Sequence, residues 1–334
     1  MNETSVIATR QGRIGHLLLN RPKALNALDQ PMIRGMAAAL DAWRDNHAVQ
    51  AVLVEGAGGR AFCAGGDIRA IREYALAGET AAIEAFFSEE YDLNAAIASY
   101  PKPYISLIDG VCMGGGIGLS VHGRMCITTE AGLFAMPETI IALFPDVGGS
   151  YALPRMPGAL GMYLGLTGAR LQGADAVHAG LATHLVARAD LDALRAAIIA
   201  DGAAAVAGFA QALPAFSLAP HRPAIDHCFG ADSVAEVMAR LEADGGAWAD
   251  GALKELRAVS PSSLLWTFEI IRRGATLSLR AALDEELRLT RRVAVHPEFI
   301  EGVRAALVDK DRAPKWNPAK VEDVDPAAIA ALFA

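Results

Sequence analysis

The sequence predicts an α/β fold whose C-terminal part is helical, and three observations carry that prediction. Short apolar runs (Ser5–Thr9, Ile14–Leu19, Ala51–Val54, Tyr104–Ile108) alternate with helical periodicities such as Ile33–Trp43, the pattern of strands and helices taken in turn. Twice a strand-like run hands over to a helical pattern through glycines, at Gly65–Gly66 and at Gly114–Gly116. Beyond Pro154 the apolar spacing becomes mainly helical. The expected division is an α/β core over residues 1–205 and a helical region over 206–334.

The elements follow in order. Arg21–Leu28 leaves the second strand as an exposed turn, and Asp29 suits the N-cap of a helix with Pro31 in its first turn. After the third strand, the small residues Ala64–Gly66 bare backbone N–H groups at a helix start, where Asp67 suits the helix dipole. Tyr104–Ile108 leads through a turn and three glycines into a helix carrying Leu119 and Val121. The first N–H groups of that helix lack internal partners. One donor from each glycine corner makes a two-donor oxyanion hole. Glu79–Ala98 reads as a helix whose acid-rich stretch Ser88–Asp92 is a solvated face. Leu213–Cys228, with three prolines, is the expected linker. Ser260 caps a helix with Pro261 at its first position, further helices run over Leu277–Val293 and from His296-Pro297, and Trp316 anchors an extended tail.

Composition narrows the function. Thirty basic residues against 38 acidic ones give a net charge of -8, which argues against nucleic acid or an anionic membrane as the partner. Cys63, Cys112, Cys126 and Cys228 form no CxxC pair and read as buried free thiols in a reducing compartment. The opening residues show neither an apolar signal core nor an Arg/Ser-rich leader, so the expected location is cytoplasmic.

Several familiar chemistries fail on spacing. The glycines around Gly115 complete no G-x-G-x-x-G, and there is no phosphate loop. Ser120 is one residue out of register for a nucleophile elbow, and His122 reads as a core histidine. Two acids remain. Glu138, after Pro137 and among apolar neighbours, is either a helix-opening glutamate or a carboxyl whose burial readies it for proton transfer. Asp146, between Pro145 and two glycines, is either a turn residue or its partner.

AFCAGGDI (Ala61–Ile68), MGGGIGLS (Met113–Ser120) and MPETIIALFPDVGGS (Met136–Ser150), in this order and spacing, resemble the crotonase (enoyl-CoA hydratase/isomerase) superfamily. FFSEEYDLN, GLSVHG and the stretch His296–Pro318 extend the likeness to almost the whole chain. They are most similar to the branch that hydrolyses short branched 3-hydroxyacyl-CoA thioesters in valine breakdown. The resemblance implies a spiral of repeated β-β-α turns with a helical C-terminal region closing the site. It implies an oxyanion hole from the Gly66 and Gly115 N–H groups, Glu138 and Asp146 as catalytic acids, and Glu90 as a substrate contact. It places coenzyme A along Lys23, Ala24, Leu25, Ala64, Asp67 and Ile68, with no metal or separate cofactor, and implies a trimer-based homo-oligomer. Crotonase-like hydratases carry a second glutamate where this chain has Gly118, which disfavours simple hydration. An enoyl-CoA hydratase or isomerase variant and a non-catalytic acyl-CoA binder are the alternatives.

Overall fold

Among residues 4–334, those that the computed structural model describes, ten strands form two sheets. They are β1 (Val6–Gln11), β2 (Ile14–Leu19), β3 (Ala51–Gly56), β4 (Ala61–Cys63), β5 (Tyr104–Ile108), β6 (Val111–Met113), β7 (Met125–Thr128), β8 (Leu133–Ala135), β9 (Leu171–Gln172) and β10 (His184–Leu185). The larger sheet runs β1-β2-β3-β5-β7-β10 and the smaller β4-β6-β8-β9. A β1–β2 hairpin opens the larger sheet, and from β2 onward its neighbours pair in parallel. In the smaller sheet β4, β6 and β8 are parallel and β9 is antiparallel. Successive strands therefore alternate between sheets: β3, β5 and β7 enter one, and β4, β6 and β8 follow into the other. This is the β-β-α spiral expected from the resemblance.

The alternation explains the sequence pattern. β5 is buried along its whole length, and β3 everywhere but at Gly56, so they read as continuous apolar runs rather than alternating ones. One face of the larger sheet packs Leu53, Ile105, Leu107 and Ile127 against Leu194 and Ile198 of the Leu191–Asp201 helix. Each such side chain contributes about 1.5–3 kcal/mol by leaving water.

The chain divides into two compact units. The first is Met1–Gly66, Glu89–Ala135 and Arg170–Ser217, with residues 1–3 outside the description, and it holds both sheets. The second, Asp67–Ser88, Met136–Ala169 and Leu218–Ala334, is helical. The sequence-based division at 205/206 is a single cut along the chain, whereas compactness groups separate segments.

The two caps expected from sequence are present: Asp29 accepts from Met32 N at 2.9 Å and Ser260 from Ser263 N at 3.0 Å. The structure adds a third, Ser278, which accepts from Ala281 N at 3.3 Å at the start of the Leu279–Val293 helix. Two expectations are corrected. The second half of the expected linker is a one-turn helix followed by Arg222–Phe229, because Pro220 and Pro223 occupy first turns, where a missing N–H costs nothing. The Gly115–Ser120 helix stops short of His122, which lies half-buried in the following turn and not on a core face.

Candidate active site

In the first unit, two glycine corners meet. β4 and β6 lie side by side in parallel, and each is followed within two residues by a glycine with positive φ, Gly65 at 106° and Gly114 at 47°. Gly115 then opens a helix, so its N–H has no carbonyl one turn back. Leu28 fixes the other corner: its N–H donates to Gly65 O at 2.8 Å, and it bridges Gly66 as a parallel neighbour. A Cβ placed on Gly115 would lie 3.4 Å from Gly66 N, 2.6 Å from Leu28 Cδ1 and 2.5 Å from Glu90 Oε1. A side chain there would have to displace the ends of Leu28 and Glu90, and the Gly66 amide nitrogen and the Glu90 carboxyl both lie close to that spot.

Glu90 is 2% exposed and Tyr91 is fully buried, while Glu89 turns outward to a bidentate pair with Arg34 at 2.7 Å. The solvated-face reading of Ser88–Asp92 thus holds for Glu89 and Asp92 and fails for Glu90. The Thr80–Ala98 helix is apolar on most sides, so charge spacing alone could not show which acid points inward.

The segment Lys23–Leu25 is a single tight turn ending in Leu25 at φ 52° and Asn26 at φ 56°. Asn26, fully buried, pins it. Its Oδ1 accepts from Arg21 N at 3.0 Å, and its Nδ2 donates to Ala57 O and Ala61 O at 2.9 Å each. Ala64 N donates to Leu25 O at 3.1 Å, which brings two of the candidate coenzyme segments together. Asp67 occupies the N-cap of the Ile68–Ala77 helix, its carbonyl accepting from Ala70 N at 3.0 Å.

In the second unit, Glu138 (6% exposed) opens a one-turn helix, Glu138–Ile141, and Asp146 (5% exposed) follows in the next turn. Both readings of Glu138 meet here: it starts a helix after proline, and it is buried. The turn is held from several sides. Thr139 Oγ1 donates to Leu166 O at 3.3 Å, while Ser263 Oγ and Trp266 Nε1 both donate to Leu143 O, the latter at 3.0 Å.

Sequence reading missed the group that holds the Asp146 turn. Glu286, in the Leu279–Val293 helix, is 0% exposed and accepts from Gly148 N (2.8 Å), Ser150 N (3.0 Å) and Ser150 Oγ (2.5 Å). Burial pushes its carboxyl up to about 8; those hydrogen bonds pull it back, and the charge on Asp146 adds to the rise. The signal was present, because Glu286 stands on the apolar stripe of Ala282, Leu283, Leu289 and Val293, where an unpaired charge would be costly. All four cysteines are buried and free, and burial pushes the Cys63 and Cys126 thiols up to about 12, far from nucleophilic use.

Two neighbouring glycine corners that follow parallel strands, on a two-sheet β-β-α spiral, define a fold of the crotonase type. The enoyl-CoA hydratase/isomerase family model matches residues 14–333, and the chain belongs to that family. It is 44% identical over 339 residues to the mitochondrial 3-hydroxyisobutyryl-CoA hydrolase of Xenopus tropicalis, covering 98% of this chain and 88% of that protein. The human protein of the same name is 44% identical over 331 residues, covering 96% and 86%. Among solved structures, a carnitinyl-CoA dehydratase from Mycobacterium thermoresistibile superposes with a TM-score of 0.96 at 43% identity, covering 99% and 97% of the two chains. An enoyl-CoA hydratase from Rhodobacter sphaeroides gives 0.94 at 42%, with the same coverage. The cytoplasmic expectation is corrected by these relatives, whose names place them in mitochondria. Buried thiols indicate a reducing milieu and do not single out one compartment.

Proposed function

We propose that this protein hydrolyses 3-hydroxyisobutyryl-CoA to 3-hydroxyisobutyrate and free coenzyme A, a step of valine breakdown. The observation that carries the reading is the convergence of the Gly66 and Gly115 amides beside the Glu90 carboxyl. Identity to named hydrolases along nearly the whole chain supports it. In this reading the thioester oxygen binds the two N–H groups, which stabilise the negative charge that grows on it as the carbonyl is attacked. Glu138 delivers the attack, either by taking a proton from water or by adding to the carbonyl to form an anhydride that water then opens. Asp146 either holds the substrate hydroxyl or shuttles the proton that the departing thiolate needs, and Glu90 helps to fix that hydroxyl. A site that pairs a hydroxyl leaves buried polar groups unmet by a deoxy acyl chain, so discrimination is strong. Coenzyme A lies along Lys23–Leu25 and Ala64–Ile68. The reaction moves an acyl group and protons, so it calls for no metal or redox cofactor.

A second reading is hydration or dehydration of an enoyl-CoA, favoured by the names of the two superposing structures given above. Gly118, buried in the Gly115–Ser120 helix, weighs against it, since the second glutamate of crotonase-like hydratases is absent there. A thiol-release assay with 3-hydroxyisobutyryl-, 3-hydroxypropionyl- and crotonyl-CoA separates the two. Free coenzyme A from the hydroxy esters, reduced ~10²–10⁴-fold in Glu138→Gln, is expected. Loss of the crotonyl double bond without free thiol would favour hydration, and tight binding with no turnover would favour a binding protein.

A further inference from the structure

The turn that carries Asp146 is strained and is gripped by one carboxyl. Val147 is β-branched yet sits at φ 50°, and Gly148 follows at 82°. Valine adopts the left-handed region only where its surroundings leave no alternative. Asp146 O accepts from Gly149 N at 2.6 Å, closing the turn from within. From outside, Glu286 accepts from the amides of Gly148 and Ser150 and from the Ser150 hydroxyl. The Pro261–Gly274 helix backs the same spot: a Cβ on Gly274 would lie 1.9 Å from Ser150 O, so only glycine permits this approach.

We propose that Glu286 is a positioning residue for Asp146, its three hydrogen bonds fixing the strained Asp146–Ser150 turn and with it the place of the Asp146 carboxyl. This role rests on the reading in which Asp146 acts on the substrate. The electrostatics agree with the geometry. Arg273 on the Pro261–Gly274 helix is taken by Glu269 and Glu285, Arg288 on the helix of Glu286 itself by Glu285, and Arg155 by main-chain carbonyls. Asp146 is the charged side chain whose field reaches Glu286. Below pH of about 8 Glu286 keeps its proton, so Asp146 lies beside a neutral neighbour. Above it, two like charges press on one turn.

The test compares wild type, Glu286→Gln, Ser150→Ala and Asp146→Asn for free coenzyme A release from 3-hydroxyisobutyryl-CoA between pH 5.5 and 9.5, with amide exchange read over residues 146–150. Glu286→Gln exchanges one accepting oxygen for an amide nitrogen, so kcat is expected to fall at least ~10-fold at unchanged KM, with the wild-type fall in rate above pH 8 removed and exchange at Gly148 and Ser150 accelerated. Ser150→Ala, the milder change should Glu286→Gln fold poorly, moves the alkaline fall to higher pH, because the lost hydroxyl had favoured the ionised carboxyl. Variants that fold and keep the wild-type kcat, pH profile and amide exchange overturn the proposal. An inactive wild type whose turn still loosens in Glu286→Gln would instead overturn the hydrolase reading and leave the grip standing.

Discussion

A single methyl group at position 115 finds its space taken by the ends of two buried side chains. It would press on Leu28 Cδ1 at 2.6 Å and displace the Glu90 carboxyl, while Gly66 as a residue is held beside Leu28 in a β-bridge. Gly115→Ala is therefore expected to lower kcat by ~10²–10³, the cost of spoiling one oxyanion donor, with far less effect on thermal stability. Steady-state kinetics alongside a melting curve checks it; a destabilised enzyme of normal kcat would contradict it. The two glycine corners could be read from sequence because a strand that gives way to a helix through bare glycines marks itself in the residue pattern. Glu90 could not, because its helix is apolar on most sides and three neighbouring acids look alike by spacing. Glu286 could have been found as a charge on an apolar stripe, but such a residue gains meaning only once its partners from residues 148 and 150 are in view.

Asn26 ties the Lys23–Leu25 turn to the exit of β3 and the start of β4. Asn26→Ala strands two carbonyls and one amide in a buried place, and is expected to cost about 3 kcal/mol in unfolding free energy while weakening KM for coenzyme A esters. Denaturant titration and kinetics measure both; an unchanged midpoint would show that water replaces the side chain. Elements were legible wherever local chemistry and tertiary structure agree: Asp29 and Ser260 cap the helices that their spacing announced. Pro220 and Pro223 misled, since proline breaks a helix interior but begins a helix equally well. The pairing order of the strands lay beyond local pattern, because parallel neighbours such as β5 and β7 are joined through another sheet.

Two buried carboxyls give the molecule opposite responses to pH. Burial penalises the charge on Glu55, but His16 at 2.7 Å and Arg195 at 2.7–2.9 Å outweigh it and hold its pKa below the ordinary value. Its contribution is present above the unfolded value of 4.5 and is lost as pH falls through the lowered folded value. Glu286 is the reverse: its contribution is complete below 4.5 and is lost as pH rises toward about 8. The melting temperature is expected to peak in mildly acidic buffer and to drop by several degrees by pH 9, a drop that Glu286→Gln flattens. Differential scanning calorimetry across pH 3–9 reads this; equal alkaline slopes in both proteins would refute it. The thiols give a further check: a disulfide-exchange reagent should leave the native protein untouched and titrate four cysteines once it is unfolded.

The two amides proposed to hold the thioester oxygen are main-chain atoms just past the ends of two adjacent parallel strands, so their spacing is a matter of strand alignment and no side chain supplies them. Mutation cannot remove such a device by changing its chemistry; it can only crowd it or shift it by a residue. The acids assigned to proton handling in the proposed reaction carry no such protection. In the proposed reaction, a chain that keeps this frame can exchange its proton-handling groups one at a time and redirect the chemistry while leaving the two main-chain donors in place.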